Sequence, residues 1–175
     1  KSGQGRLVDI GMLDCMVALL ENGLVRYLST GEVPEPLGSR HPSITPFDAF
    51  KAKDDWLVIG AANDHLFATL CNALGAPGLC ADPRYRSMQT RLDNHISLKA
   101  DIEEALSVAT AQEWVARLTA AGVPAAPINK MPQAAENPQI SARNMIVTLH
   151  DPEMGELKVC GNPIKVSGYP DSTER

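Results

Sequence analysis

The 175-residue sequence predicts an α+β fold, in which β-hairpins and helices share one small unit and a long helix leads into it. Three observations carry that prediction. Strand-like patterning around a turn-forming cluster occurs twice, at 47–61 and 145–161. Apolar residues at three- and four-residue steps precede and separate these stretches. Consecutive strand–helix–strand units, which would build a parallel sheet, are not found.

The elements follow in order. "GRLVDIG" (5–11) reads as a short strand passing into a helix over Met12–Ser29, where Leu13, Met16, Val17, Leu20, Leu24 and Leu28 form one apolar stripe. Gly23 weakens the middle of that helix by about 1 kcal/mol relative to Ala. "STGEVPEPLGSRHPSITP" has four prolines, two glycines and no periodicity, so it is a linker or loop. Phe47–Lys51 and Trp56–Ala61 then form a hairpin around Lys53, Asp54 and Asp55. Asn63 or Asp64 caps the next helix, which buries Leu66, Phe67, Leu70, Cys71 and Leu74 and ends at Gly75. A loop that becomes helical (76–95) and two more helices follow, the second opened by a Thr110/Glu113 capping box. "AAGVPAAPIN" (120–129) leaves that helix as an extended segment that its prolines keep out of any central sheet position. Short helical turns near Met131–Glu136 and Pro138–Arg143 lead to a second hairpin, with Ile146 and Leu149 set against Leu157 and Val159.

Composition excludes several classes. Apolar residues make up 44% and charged residues 21%, an ordinary globular balance. Sixteen Lys and Arg against 21 Asp and Glu give a net charge of −5 without a basic block, so neither nucleic acid nor a membrane is expected as partner. Apolar runs fall well short of the ~18 residues a membrane span needs. "KSGQG" has no signal-peptide apolar region, and the absence of an initiator Met gives the expectation that the chain begins inside a longer protein. The four cysteines show no CxxC spacing and the four histidines no HxxxH, so no metal site is expected. Cys15 and Cys71 fall on apolar helical faces as buried thiols, and a reducing cytoplasm fits them.

Catalytic motifs are scarce. Val8 stands where a dinucleotide fingerprint beginning at Gly3 needs its third glycine, and neither GxxxxGK[ST] nor GxSxG occurs. His41, beside Arg40 and Ser43 in the proline-rich loop, could donate to a carbonyl or carboxylate, although a solvated loop histidine is the plainer reading. His65, His95 and His150 read as surface residues, Asp64 as a dipole-matched cap, and Asp54-Asp55 and Glu103-Glu104 as solvated runs. Trp56 and Trp114 read as core. Arg84, Arg86 and Arg91 form a local basic patch better suited to salt bridges with nearby helices than to a phosphate. These residues alone nominate no active site.

Seven stretches in order resemble the family III CoA-transferases, the carnitine-dehydratase or bile-acid-inducible type. They are "GQGRLVDIGMLD", "GSRHPSITPFDAF", "DDWLVIGAANDHLFATLCNALG", "DPRYRSMQTRLDNHISL", "TAQEWVARLTAAGVPAAPIN", "NPQISARNM" and "GNPIKVSGYP". The resemblance implies a small-domain segment without the complete Rossmann-like large domain. It assigns 1–30 to a strand and helix leaving the large domain, 31–46 to a linker and lid loop, 47–128 to the small α+β domain, and 129–175 to a return segment with a hairpin. It implies CoA exchange between an acyl-CoA and a small carboxylic acid through an aspartyl intermediate upstream of this chain, and an intertwined homodimer. A CoA thioester enters as substrate, with no permanently bound cofactor. Asp9 and Asp14 match structural positions of the family, so no catalytic residue is expected here and the chain alone is expected to be inactive. Gly38, His41 and Pro42 occupy the lid position, without the glycine run of formyl-CoA transferase. Asn63 stands where the α-methylacyl-CoA racemase branch tends to have Glu, and a neutral amide cannot do a carboxylate's acid–base work. Gly38, His41, Pro42 and Asn63 are therefore the substrate-binding candidates. A racemase segment and a non-catalytic dimerisation or assembly module are the alternatives. The apolar stripe of Met12–Ser29 would leave leucines exposed at about 1.5–3 kcal/mol each, so the chain is expected to self-associate.

Overall fold

The computed structural model describes residues 3–5 and 7–168. Its contacts divide the chain into two units, Lys1–Ser39 and Arg40–Arg175. Tyr169 and Pro170, which close the "GNPIKVSGYP" stretch, lie outside the described residues.

In the first unit the expected single helix is two, α1 (Met12–Leu19) and α2 (Glu21–Thr30). Leu20 separates them at φ −80°, ψ 13°, and its N–H donates to the Val17 carbonyl at 3.1 Å. That i→i−3 bond is one tight 3₁₀-like step, close to the glycine that weakens the segment. Residues 5 and 7–11 form no strand, and Arg6 lies outside the described residues. A strand needs a hydrogen-bonding partner, and among the described residues none is present in this unit. The apolar stripe is exposed, with Leu13 at 74% and Leu28 at 72%. Cys15, expected buried, is exposed with it.

The second unit is built on a three-stranded antiparallel sheet in the order β1 (Phe47–Lys51), β2 (Trp56–Gly60), β3 (Ala125–Pro127). Phe47 pairs with Gly60 and Lys51 with Trp56, while Leu57 pairs with Pro127 and Ile59 with Ala125. Gly60 N–H donates to the Pro124 carbonyl at 3.0 Å and Ile128 N–H to the Trp56 carbonyl at 3.3 Å. The even-numbered residues of β3 therefore face β2, and the nitrogen of Pro127 falls on the outer edge, where its missing donor costs nothing.

Helices cover one face of this sheet. α3 (Asp64–Ala73) is capped by Asn63, whose Oδ1 accepts the Leu66 N–H at 2.8 Å. After α4 (Gly78–Ala81) and a 3₁₀ turn (Pro83–Tyr85) come α5 (Met88–Asp93), α6 (His95–Leu106) and α7 (Ala111–Ala120). The Thr110/Glu113 capping box is formed. Gly122, at φ +83°, ends α7 and turns the chain toward β3. The core gathers Leu57, Ile59, Phe67, Leu70, Ile102 and Leu118. Trp114 lies buried among them, with Nε1–H donating to the Leu106 carbonyl at 2.8 Å.

Several expectations need correcting. Trp56 is 41% exposed. It alternates with the buried Leu57, so its ring projects from the outer face, with the Lys51 and Lys99 ammonium groups 5.6 and 5.8 Å from the ring centre. The two acidic runs do structural work as well. Asp54 accepts the Ala111 N–H at 2.8 Å, tying the hairpin turn to the start of α7, and Glu103 accepts the Lys51 N–H at 3.0 Å.

Two short helices, α8 (Met131–Ala135) and α9 (Pro138–Ala142), lead to the hairpin β4 (Ile146–Asp151) and β5 (Gly155–Cys160). Leu149 does face Leu157, but Val159 faces Val147, which is the buried residue, and Ile146 faces Cys160. A side chain at Gly161 would collide with the Asn144 carbonyl, so glycine is needed where Gly161 N–H donates to the Met145 carbonyl at 2.9 Å.

Candidate functional site

The loop that enters β1 carries the candidate chemistry of the second unit. His41 is half-buried, and its imidazole stacks on Phe47 with ring centres 5.4 Å apart and planes 9° from parallel. Its backbone N–H donates to the Phe47 carbonyl at 2.9 Å. Its Nδ1 accepts the Ser43 N–H at 3.2 Å. Because Nδ1 is the acceptor, the neutral ring carries its proton on Nε2, which leaves an N–H donor suited to a carbonyl or carboxylate oxygen. Pro42, also half-buried, follows it. Gly38 belongs to the first unit, in the left-handed region at φ +65°.

Asn63 is exposed, but its carbonyl oxygen is committed to capping α3. Asp64, next to it, receives an Arg91 Nη2–H at 2.5 Å. Arg91 is the residue whose role the sequence conceals. It reads as part of a local basic patch suited to salt bridges with nearby helices, and it does pair with Asp64 of α3, but from a fully buried position that the sequence does not signal. Its Nε donates to the Thr45 carbonyl at 3.1 Å and its Nη1 to the Tyr85 carbonyl at 3.0 Å, with the guanidinium 4.5 Å from the centre of the Phe67 ring. One planar fork thus joins the loop before β1, the 3₁₀ turn and the start of α3. Arg84 behaves as the sequence implies, bridging Asp82 at 2.7 Å and Asp101 at 3.3 Å.

The other histidines divide. His65 is exposed, and His150 lies 3.8 Å from Glu156 on the second hairpin. His95 is half-buried rather than on the surface, with Nδ1 2.9 Å from the Leu92 carbonyl. It borders a narrow cleft with Arg40, Asp48 and Lys99, a grouping that no sequence spacing announces. Asp48 is almost wholly buried and pairs with Lys99 at 2.8 Å.

Cys71 offers no reactive thiol. Burial, and then contact with the Cys80 thiol, push Cys71 up to about 12, so it stays protonated at neutral pH. Among the described residues no group of three or more His, Cys, Asp or Glu is placed to hold a metal ion, and no helix is long and apolar enough to cross a membrane.

Loop, sheet and helices of this kind recur in known proteins. The family description CoA-transferase family III matches residues 1–175, and the chain belongs to that family. It is 41% identical over its whole length to the acetyl-CoA:oxalate CoA-transferase of Acetobacter aceti, of which it covers 44%. It is 30% identical over its whole length to the human succinyl-CoA:glutarate CoA-transferase, of which it covers 40%. Among solved structures, a CAIB/BAIF family protein from Brucella suis superposes with a TM-score of 0.77 at 32% identity, over 95% of this chain and 43% of that one. The chain thus spans less than half the length of the curated relatives it matches.

Proposed function

We propose that this chain is the small-domain part of an acyl-CoA:carboxylate CoA-transferase whose aspartate nucleophile lies upstream of these residues, and that its acceptor is a small dicarboxylic acid. The carrying observation is a family match along all 175 residues by a chain less than half as long as its relatives. Those relatives bear the names of enzymes acting on oxalate and glutarate. In such a transfer an aspartate carboxylate attacks the acyl thioester, leaving a mixed anhydride and a CoA thiolate. The thiolate attacks the aspartyl carbonyl, which frees the donor acid and leaves an aspartyl thioester. The acceptor carboxylate then runs the two steps in reverse.

Gly38, His41 and Pro42 are assigned to a lid over that chemistry, with the Nε2–H of His41 as donor to a substrate oxygen. Asn63 borders it as a neutral group. The racemase alternative is disfavoured because the Asn63 side chain is a neutral amide, which cannot take up and release a proton as a carboxylate does. An intertwined homodimer in the reducing cytoplasm is the assembly assigned to the chain, and the exposed apolar stripe of α1 and α2 supports the part of that reading in which this surface is covered by another chain.

The test joins this chain to the upstream half of a family member and follows CoA transfer from succinyl-CoA and acetyl-CoA to oxalate and glutarate. Transfer is expected from the joined protein and none from the 175 residues alone, and His41→Ala is expected to raise KM for the acceptor. Turnover by the chain alone that survives repurification would overturn the placement of the nucleophile.

A further inference from the structure

The cleft beside the His41 loop is lined by Arg40, Asp48, His95 and Lys99, with Phe50 in its apolar wall. About 10 Å³ of it is room for a water-sized group, while the roughly 210 Å³ of unfilled space extends to open solvent. The enclosed part thus admits one water-sized group and no acyl chain, and a larger anion can be held only at the open mouth.

The charges there do not cancel. Asp48 uses both oxygens within the fold, Oδ1 accepting the Ala49 N–H at 2.7 Å and Oδ2 holding Lys99 at 2.8 Å. Lys99 is its ion-pair partner, and Arg40 is a second cation lining the same cleft. Among the described residues Arg40 forms no ion pair, and its Nη1 donates to the His41 carbonyl at 3.3 Å. Most of its five N–H donors are left for another acceptor. His95 lines the same cleft, but the Leu92 carbonyl beside its Nδ1 can only accept, so Nδ1 carries the proton and Nε2 of the neutral ring is an acceptor.

We propose that the mouth of this cleft is a subsite for an anionic oxygen group of the substrate, a carboxylate or a phosphate, gripped by Arg40 with the Lys99 ammonium beside it. The assignment rests on the CoA-transferase reading, which supplies both sources: the far carboxylate of a dicarboxylic acceptor, or a phosphate of CoA. Arg40 directly precedes His41 and bonds its carbonyl, so an anion held by Arg40 also fixes the histidine. Arg40 is then a specificity-determining residue, and Asp48 a positioning residue for Lys99.

The experiment titrates the isotopically labelled 175-residue chain with succinate, inorganic phosphate and chloride at matched ionic strength, following backbone amides by NMR. Saturable shifts confined to residues 40–46 and 95–99 are expected with succinate or phosphate, and none with chloride. The anion that saturates at lower concentration identifies the source. Arg40→Gln is expected to weaken that binding about tenfold through loss of one charge-assisted contact. Arg40→Lys should recover part of it, and resonances outside the cleft report that both variants are folded. Shifts that never saturate, or saturable binding unchanged in Arg40→Gln, would overturn the subsite. The CoA-transfer assay tests the underlying reading separately, because anion binding by the chain does not depend on turnover.

Discussion

Replacing Arg91 by methionine is the sharpest test of how the loop carrying His41 is held. Methionine keeps much of the volume and packing against Phe67 but removes every donor. The carbonyls of Thr45 and Tyr85, residues that are 3% and 0% exposed, lose their partners. Each buried acceptor left unsatisfied costs about 1–3 kcal/mol. Removing a desolvated cation returns part of that sum. The Asp64 side chain is 74% exposed and rehydrates, so its share is at most about 1 kcal/mol. A net loss of about 2–4 kcal/mol follows, and at roughly 2–4 °C per kcal/mol for a chain of this size the Tm falls by about 4–16 °C. Urea denaturation monitored by tryptophan fluorescence reads this, because Trp114 is buried in the same core. Asp64→Ala is the control and should cost less than about 1 kcal/mol. An Arg91→Met protein as stable as the parent, or an Asp64→Ala protein equally damaged, would refute the claim that the two carbonyls carry the effect.

Two further outcomes follow from ionisation. The Ala111 N–H holds Asp54, the Thr110 N–H holds Glu113 and the Met154 N–H holds Asp151 below their ordinary values, so the folded state binds those protons less tightly than the unfolded one. Their stabilisation is present above about pH 4 and is lost as pH falls through the folded values. Urea midpoints between pH 6 and pH 3 should drop, and less steeply in Asp54→Ala. For the thiols, a maleimide should label the exposed Cys15 and Cys160 in the native chain and reach Cys71 only after denaturation. Equal labelling rates would contradict the burial of Cys71.

Local signals transmitted well from sequence to structure, and tertiary ones did not. The Phe47–Gly60 hairpin, the Thr110/Glu113 box and the turn at Gly122 are written in residues only a few positions apart. Arg91 carries the same compositional signal as Arg84, yet its partners lie 46, 6 and 27 residues away. Nothing periodic marks a pairing over such separations. Trp56 misleads for a related reason: an aromatic in a strand is equally at home on either face, and only its neighbour Leu57 decides which. The cleft of Arg40, His95 and Lys99 was illegible because its members come from a loop and a helix more than fifty residues apart.

The two edges of the sheet are protected differently, the β1 edge by contacts from within the chain and the β3 edge by its proline and its shortness. On β1 the outward groups are those of Phe47, Ala49 and Lys51. The Phe47 carbonyl takes the His41 N–H at 2.9 Å, the Ala49 N–H is taken by Asp48 at 2.7 Å, and the Lys51 N–H by Glu103 at 3.0 Å. On β3 the outer edge carries Pro127, which has no N–H to offer. On the β1 side a partner strand therefore meets groups already taken from within the chain, and on the β3 side only a three-residue edge interrupted by proline. The pair that seals the β1 edge also presents the candidate donor, through two separate contacts: the His41 N–H to the Phe47 carbonyl closes the edge, and the stacked rings hold the imidazole. A substitution at Phe47 that removes the ring would therefore loosen the His41 side chain while leaving the backbone bond and the Ala49 and Lys51 caps in place.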